Sequence, residues 1–418
     1  MRPTTKDNIN YAWIMCIFAA VFYCYEYLLR VLPSVIVPDL MQSLNIGATQ
    51  IGLISSFYFL TYTPMQIVVG TIMDHFGVRI PLTIATLSCA LGIYIFSMPE
   101  LIYAKIGMLL VGFGSAFAFV GVLKIAADWM PNKYFALIAG VTTTLGMAGA
   151  ISGETSLSTA INNFGLEDAM LGLSISGIIL TIFIFVTIKD KKLLHSHSCI
   201  NEIKKLAFDL IFVAKNKQIW VVGIIGMLLY TPTTTFAGLW GVPYLQMTRG
   251  LNAHDAGVIV SMIFVGWAIG SPLTGLLSVW LKTRKKILTV GALLCAITLI
   301  KILYFPSESI AITMTLMFLL GFFSSSEILI FAVAHDIIPN NLAGTAVSLT
   351  NMLVMVSGIM QYLIGYWLEN SQGAAITGSH IHVFTETNFQ AAFIIMPVGL
   401  VIAFFLSFFL KESYHLKK

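Results

Sequence analysis

The stretch Gly70-Thr71-Ile72-Met73-Asp74-His75-Phe76-Gly77-Val78-Arg79 joins two long apolar runs. Its residue types predict a tight connection between two helices. Gly70 permits close helix approach and Gly77 permits a sharp turn. Asp74 is suited to cap a helix or pair with a cation, and Arg79 to meet a carboxylate or the carbonyl end of a helix. The flanking runs belong to a chain that is 58% apolar and only 10% charged over 418 residues. Soluble domains have roughly 45–50% and 25%, so no water-soluble core could hide the excess.

Apolar stretches of about 20 residues recur from Tyr11 to Leu410, each long enough to cross a hydrocarbon core of about 30 Å. Only helices or closed barrels satisfy the backbone in lipid, and runs of this length mean helices. Spans are expected at 11–37, 48–70, 80–98, 102–126, 135–160 and 168–188, then at 219–246, 256–280, 287–304, 309–334, 342–368 and 389–410. The expected fold is an all-α polytopic membrane protein with two six-helix halves, 1–188 and 219–418, joined by a polar segment at 189–218. The first run is no signal peptide: it is too long, Glu26 and Arg30 interrupt it, and no small-residue cleavage site follows. Cys16, Cys24, Cys89 and Cys295 fall inside spans and Cys199 in the polar segment, so they read as reduced packing residues rather than a disulfide framework.

Lys and Arg set the orientation. With both termini in the cytoplasm, cytoplasmic segments hold 18 of the 23 basic residues, and only Lys105, Arg249 and Lys301 lie outside. The expected location is a bacterial inner membrane. The central segment carries Lys189, Lys191, Lys192, Lys204, Lys205, Lys215 and Lys217. Residues 201–213 have helical spacing, which predicts a helix along the cytoplasmic membrane surface, drawn to anionic lipid; the competing reading is a plain solvated linker. His195, His197 and Cys199, like His380 and His382, are too short and loose a grouping to predict a metal site.

The 70–79 stretch resembles the signature loop of the major facilitator superfamily, G-x-x-x-D-R-x-G-x-R, with His75 in place of a basic residue. Trp129-Met130-Pro131 onward to Gly140, Gly146, Gly149 and Gly153 is similar to that family's fourth loop and glycine-rich fifth helix. Gly344-Thr345-Ala346 with Asn351, Gln361 and Gly365 is similar to its eleventh helix. Gly238-Leu239-Trp240-Gly241-Val242-Pro243-Tyr244 sits where its seventh helix breaks. In the second half the matching loop reads Gly275-Leu276-Leu277-Ser278-Val279-Trp280-Leu281-Lys282-Thr283-Arg284, with Val279 at the acid's place and Lys282 at the glycine's, so a latch there must be built differently. The resemblance implies two pseudo-symmetric six-helix bundles, a midplane site and alternating access. It makes the 70–79 loop a gate that latches the halves together.

Charges inside spans are functional candidates by default. Glu26 and Arg30 share a face of the first helix, flanked by Tyr23 and Tyr27. Arg30 is suited to receive an anion by forked hydrogen bonds, and Glu26 to bind an amine or the coupling proton; the alternative is a mutual salt bridge that only packs the helix. The stretch resembles the first-helix arginine region of organic-anion symporters, except that Leu29 stands where they carry aspartate. A weaker similarity is to phagosomal nutrient transporters. Glu154 suits either a proton carrier or a protonated packing residue. Glu327, after Ser324, Ser325 and Ser326, is a second proton-coupling candidate. If helices four and ten are equivalent, Lys124 and Glu327 are expected to approach across the cytoplasmic gate; Lys124 otherwise snorkels or pairs with Asp128. Tyr58, Tyr62, Tyr230, Trp240, Asn351 and Gln361 complete the expected substrate lining, and Asp74, Arg79, Lys124 and Glu327 the gating set. Thr233, Thr234 and Thr235 are placed to satisfy backbone groups freed by Pro232.

No phosphate-binding loop, catalytic triad, metal-ligand spacing or basic–aromatic nucleic-acid surface is present in the sequence. The expectation is therefore no enzyme and no cofactor: a monomeric secondary transporter, coupled to protons, moving an amino acid, short peptide or organic anion. A drug or metallophore exporter and a transport-inactive solute sensor are the alternatives.

Overall fold

The computed structural model describes residues 6–190, 199–339, 342–371, 375–377 and 381–414. Twelve long helices organise it. The first six are α1 (Lys6–Val35), α2 (Ala48–Phe76), α3 (Arg79–Phe96), α4 (Leu101–Trp129), α5 (Asn132–Phe164) and α6 (Leu166–Thr187). The second six are α7 (Lys217–Arg249), α8 (Ala253–Leu281), α9 (Lys285–Tyr304), α10 (Ile310–Asp336), α11 (Ala343–Glu369) and α12 (Glu386–Ser407). A short helix, Val37–Ser43, follows α1, and a linker helix, Cys199–Ala214, follows α6. A small antiparallel ribbon pairs 375–377 with 381–383 in the loop before α12, an addition to the all-helical expectation. His195, His197 and His380 lie outside the described residues, as do the side chains of Cys199 and His382. Among the described residues no cluster of His, Cys, Asp and Glu could hold a metal ion.

Eleven of these helices are long and apolar enough to span a membrane. The exception, α5, has 33 residues, about 50 Å at 1.5 Å per residue, so length is not what it lacks. Its glycines, its threonines at 142–144 and Glu154 dilute its apolar content. Those small residues serve packing: a Cβ on Gly149 would lie 2.0 Å from the Cys24 carbonyl oxygen of α1, so only glycine allows the two backbones this close.

Within the first half α1 packs on α5, and α4 and α6 on α3; within the second, α8 packs on α10 and α12 on α9. The halves meet where α2 lies along α11, α5 along α8, and α1 along α7. Let the terminal end be the one where α1 begins and α12 ends. At the far end both seams are tight. A Cβ on Gly52 would lie 2.4 Å from the Gln361 carbonyl of α11, and one on Gly257 2.0 Å from the Glu154 carbonyl of α5. Glu369 Oε2 also accepts from the Thr49 amide at 2.8 Å. Toward the terminal end, Gly70, Gly140, Gly275 and Gly344 face open space on the same four helices.

The third helix of each half, α3 and α9, is capped in the same way. Asp190, just past α6, accepts from the Val78 and Arg79 amides at 2.6 and 3.0 Å. Glu412, just past α12, accepts from the Arg284 and Lys285 amides and from the Thr283 hydroxyl. Both carboxylates satisfy orphan amides at a helix start, where the dipole favours negative charge. Partial burial pushes Glu412 upward, but the Thr283 hydroxyl and the Arg284, Tyr414 and Lys285 amides outweigh it and hold it below its ordinary 4.5. A depressed carboxylate stabilises the fold above its unfolded pKa and loses that contribution as pH falls through the folded one. Glu412→Gln should therefore lower the melting temperature of the detergent-solubilised protein at neutral pH, and the gap to wild type should close below about pH 4.5. A gap that stays constant in thermal scans down to acid pH would show that the cap acts without its charge.

Candidate functional site

The site is built on the middle of α1. Arg30 is 7% exposed and Glu26 fully buried; their side chains pair at 3.1 Å, one turn apart. Tyr58 of α2 closes a triangle with them. Its hydroxyl accepts from Arg30 Nε at 2.9 Å and donates to Glu26 Oε2 at 3.2 Å. The guanidinium also lies over the rings of Tyr27, Tyr62 and Tyr58, at 4.3, 4.9 and 5.3 Å from their centroids, so π-faces surround whatever part of the cation the carboxylate leaves free. Tyr58 and Tyr62, one turn apart on α2, stack at 5.3 Å, and Tyr23 packs edge-on against Tyr27.

The second half faces this cluster through α7. From Pro232–Trp240 that helix widens into a π-helical turn instead of breaking, as the sequence had suggested. Proline removes a backbone donor there; the Thr231 hydroxyl donates to the Met227 carbonyl one turn earlier at 2.9 Å, and side chains add bonds to carbonyls further along. The Thr234 hydroxyl donates to the Tyr230 carbonyl at 3.2 Å, and Gln361 Nε2 donates to the Thr234 carbonyl at 2.7 Å. The widened turn brings Tyr230, Thr233 and Thr234 opposite Arg30, with Gln361 and Phe264 beside them. The space between is closed down to about 10 Å³, room for one water. Gln361 Oε1 is buried without a hydrogen-bond partner.

Not every expected lining residue reaches this space. Trp240 instead ties α7 to α11, donating from Nε1 to the Gln361 carbonyl at 2.9 Å. Asn351 bridges α11 to α2 through Gln66 Oε1 at 2.9 Å, nearer the terminal end. Tyr23 supports Tyr27 from behind. Val31, Phe59, Phe264, Thr233 and Thr234 are lining that sequence reasoning missed; the threonines had drawn notice only as backbone partners, and nothing marks the three apolar residues among their neighbours. A roomier groove, about 420 Å³ between α2 and α11, is apolar, lined by residues such as Leu53, Phe57, Leu60 and Ile359 and no charged group. It lies on the flank of the bundle, separated from this site by Phe59, which lines both.

The expected Lys124–Glu327 pair is not formed. Lys124 Nζ instead meets Asp74 at 2.6 Å and Asp128 at 3.6 Å. The 70–79 loop therefore latches helices of its own half rather than the two halves to each other. Arg79 completes this by donating to the Phe185 carbonyl of α6 at 2.8 Å and lying over the Phe185 ring. The second half closes its loop with a different pair: Arg284, at the place of Arg79, meets Asp336 at the end of α10. Lys282, at the place of Gly77, shares its positive φ, 52° against 80°, but takes a left-handed ψ of 38° where the glycine is extended at −178°. Glu327 sits in a 3-10 turn, Ser325–Ile328, inside α10; it is 3% exposed and pairs with no cation among the described residues. Glu154 lies at the far-end α5–α8 seam, away from Arg30. Its Oε1 accepts from Ser34 at 2.8 Å, and its Oε2 is buried without a partner.

A buried arginine at mid-span, a closed space between two halves, and paired loop latches at one end together form the frame of a solute carrier. The family model described as Major Facilitator Superfamily matches residues 16–361. The chain belongs to the major facilitator superfamily. It is a secondary transporter of a small organic solute and not an enzyme. The chain is 22% identical over 432 residues to the probable sulfoacetate transporter of Cupriavidus necator, covering 97% of this chain and 95% of that protein. It is 23% identical to the hexuronate transporter of Bacillus subtilis, covering 86% and 90%, and 22% identical to that organism's probable galactarate/D-glucarate transporter, covering 90% and 89%. Among solved structures it superposes on a D-xylose–proton symporter with TM-score 0.76 at 14% identity, covering 98% of this chain and all of that one. A bacterial homologue of the lysosomal transporter Spinster gives TM-score 0.75 at 14% identity, covering 98% and 97%.

The latch geometry makes a direct prediction for this transporter. Asp74→Lys or Lys124→Asp alone should destabilise the first half's terminal end and reduce uptake, and the double exchange should restore both, because the two side chains meet directly and the pair re-forms with its polarity reversed. Thermal melting and solute uptake of the three variants check it; a double exchange as impaired as the singles would show that polarity matters to something other than the pair.

Proposed function

We propose that this transporter imports a small organic anion, a carboxylate or sulfonate, together with protons, with Arg30 as the anion's seat. The observation that carries this is the Arg30–Glu26–Tyr58 triangle facing Tyr230, Thr233 and Thr234 of the other half. An ion at mid-span is tolerated only with a partner, and Glu26 now supplies it. A solute carboxylate would compete with Glu26 for the same guanidinium. Protonation of Glu26 removes that competition, so proton and anion enter together, and loss of the proton returns Arg30 to Glu26 and expels the anion. Glu327, buried without a cation, is a second proton seat on the other half. The names of the sulfoacetate, hexuronate and glucarate relatives favour an anion over an amino acid or peptide.

Alternating access fits the glycine pattern. Gly52 and Gly70 are 18 residues apart, five full turns, and so share one face of α2; Gly257 and Gly275 repeat this spacing on α8. Gly344 lies 14 residues before Gly358 on α11, and Gly140 14 before Glu154 on α5, each within about 40° of the same face. The far-end members are packed on the opposing half and the terminal-end members are free. The bodies 1–188 and 219–418 would rock so that the free set closes as the packed set opens. We place the terminal end in the cytoplasm of a bacterial inner membrane, where the basic loops belong.

The test is uptake of radiolabelled glucuronate, glucarate and sulfoacetate into proteoliposomes under an imposed pH gradient. Accumulation should follow the gradient. Arg30→Lys, which loses the forked contact, should cut uptake by about tenfold or more, as expected for losing a charge-assisted hydrogen bond of about 1.5–3 kcal/mol. Glu26→Gln should keep exchange of internal for external solute while losing gradient-driven accumulation. Gradient-insensitive accumulation would reject proton coupling, and undiminished uptake by Arg30→Ala would reject the site.

The rocking motion has its own test. Gly52→Val should lower the melting temperature, because its Cβ would collide with the Gln361 backbone. Gly70→Val should leave melting unchanged and still block uptake, because it obstructs only the state with a closed terminal end. Equal transport by Gly70→Val and wild type would reject that role for the free glycines.

A further inference from the structure

The linker helix Cys199–Ala214 has two faces of different kinds. Leu206, Leu210 and Val213, at helical spacing, face inward; Val213 is fully buried and Leu210 packs against the core. The helix rests there on α11, α7 and the end of α2. The opposite stripe is Lys204, Lys205, Phe208, Ile211, Phe212 and Lys215, which a helical period of 3.6 places within about 60° of Phe208 on either side. Phe208 is 75% exposed, Ile211 58% and Phe212 55%. Large apolar side chains on this scale demand a cover, and the lysines on the same stripe demand an anionic one. On this helix Asp209 lies about 100° from the stripe's centre.

The height of the helix is fixed independently. Trp220, in the first turn of α7, is 43% exposed and donates from Nε1 to the Ala214 carbonyl, the last of the linker helix, at 2.8 Å. Indole rings at the ends of membrane-spanning helices mark the headgroup level. The hydrogen bond therefore holds the linker helix at that level, beside the bilayer rather than out in water.

We propose that the linker helix docks on an anionic bilayer surface, with Phe208, Ile211 and Phe212 entering the acyl boundary and Lys204, Lys205 and Lys215 contacting acidic headgroups. Because its other face rests on α2, α7 and α11, lipid charge would act on the seam between the halves. Nothing in this depends on which solute is carried.

The test uses the full-length protein bearing Phe208→Trp in phosphatidylcholine–phosphatidylglycerol vesicles, with bromine on the acyl chains of one lipid or the other. Fluorescence is read as the difference from the parent protein, whose own tryptophans are constant. Brominated phosphatidylglycerol should quench the added tryptophan several-fold more than brominated phosphatidylcholine at equal mole fraction. The preference should weaken at high salt, vanish in Lys204→Gln/Lys205→Gln/Lys215→Gln, and return in the corresponding arginine triple variant. Equal melting temperatures among these variants would separate loss of docking from loss of fold. Absence of quenching by either lipid would overturn the docking, and equal quenching by both would overturn its anionic character. Crosslinking of Phe208→Cys between two copies, in place of quenching, would assign the face to a second protomer and overturn it as well.

Discussion

A guanidinium in the middle of a membrane constrains everything around it. Arg30 cannot face lipid, where an ion costs at least several kcal/mol, so α1 has one permitted rotation: that face turned inward. Glu26 on the same face neutralises it, and Tyr58 both accepts from the cation and donates to the anion. Three aromatic rings cover the rest. A buried pair of this kind is weak evidence for stability, because desolvation offsets much of the attraction. Breaking it by removing one partner is expensive, and that asymmetry is useful to a carrier. The pair can be opened only by something that replaces the lost partner, such as an incoming anion for Arg30 or a proton for Glu26.

The fold was readable because its main constraint is local. Each span needs only enough apolar length, and eleven of the twelve runs announce themselves without reference to the others; α5, diluted by glycine and threonine, is the exception. The candidate site was readable for the opposite reason: charges are so costly in lipid that Glu26, Arg30, Glu154 and Glu327 stand out against their surroundings. What the sequence hid is pairing across helices. The sequence offered Lys124 Glu327 or Asp128 as partners, and only the fold shows that Asp74 lies at 2.6 Å, with Asp128 at 3.6 Å. Trp240 and Asn351 look like ligand-binding types, yet each holds two helices together. Phe264 looks like packing, yet it lines the closed space. Residue type indicates which groups need partners in a membrane, but not which partner is the solute.

The second latch shows how a repeat can be lost in sequence and kept in structure. Val279 and Lys282 replace the acid and the glycine, so the motif is unrecognisable. Yet the turn keeps its positive φ, the carboxylate cap reappears as Glu412, and an ion pair to the fourth helix of the half is made from another loop position, by Arg284 at the place of Arg79 with Asp336. What the architecture requires is a neutral, hydrogen-bonded closure of each loop onto its own bundle. Either pair meets that requirement, so a single-motif search is sensitive to a detail to which the fold is not.

The same reasoning explains why the two ends of the molecule are packed so differently. A seam filled at both ends would hold the halves rigidly, and one filled at neither would leak. Glycines on matching faces of α2, α5, α8 and α11 supply two sets of close-approach surfaces, one occupied and one free. Were the halves to rock about the closed space around Arg30, as proposed, closing one set would separate the other. The charged triangle therefore sits where rocking displaces it least, and the anion it is suited to hold would exchange one exit for the other without itself moving far.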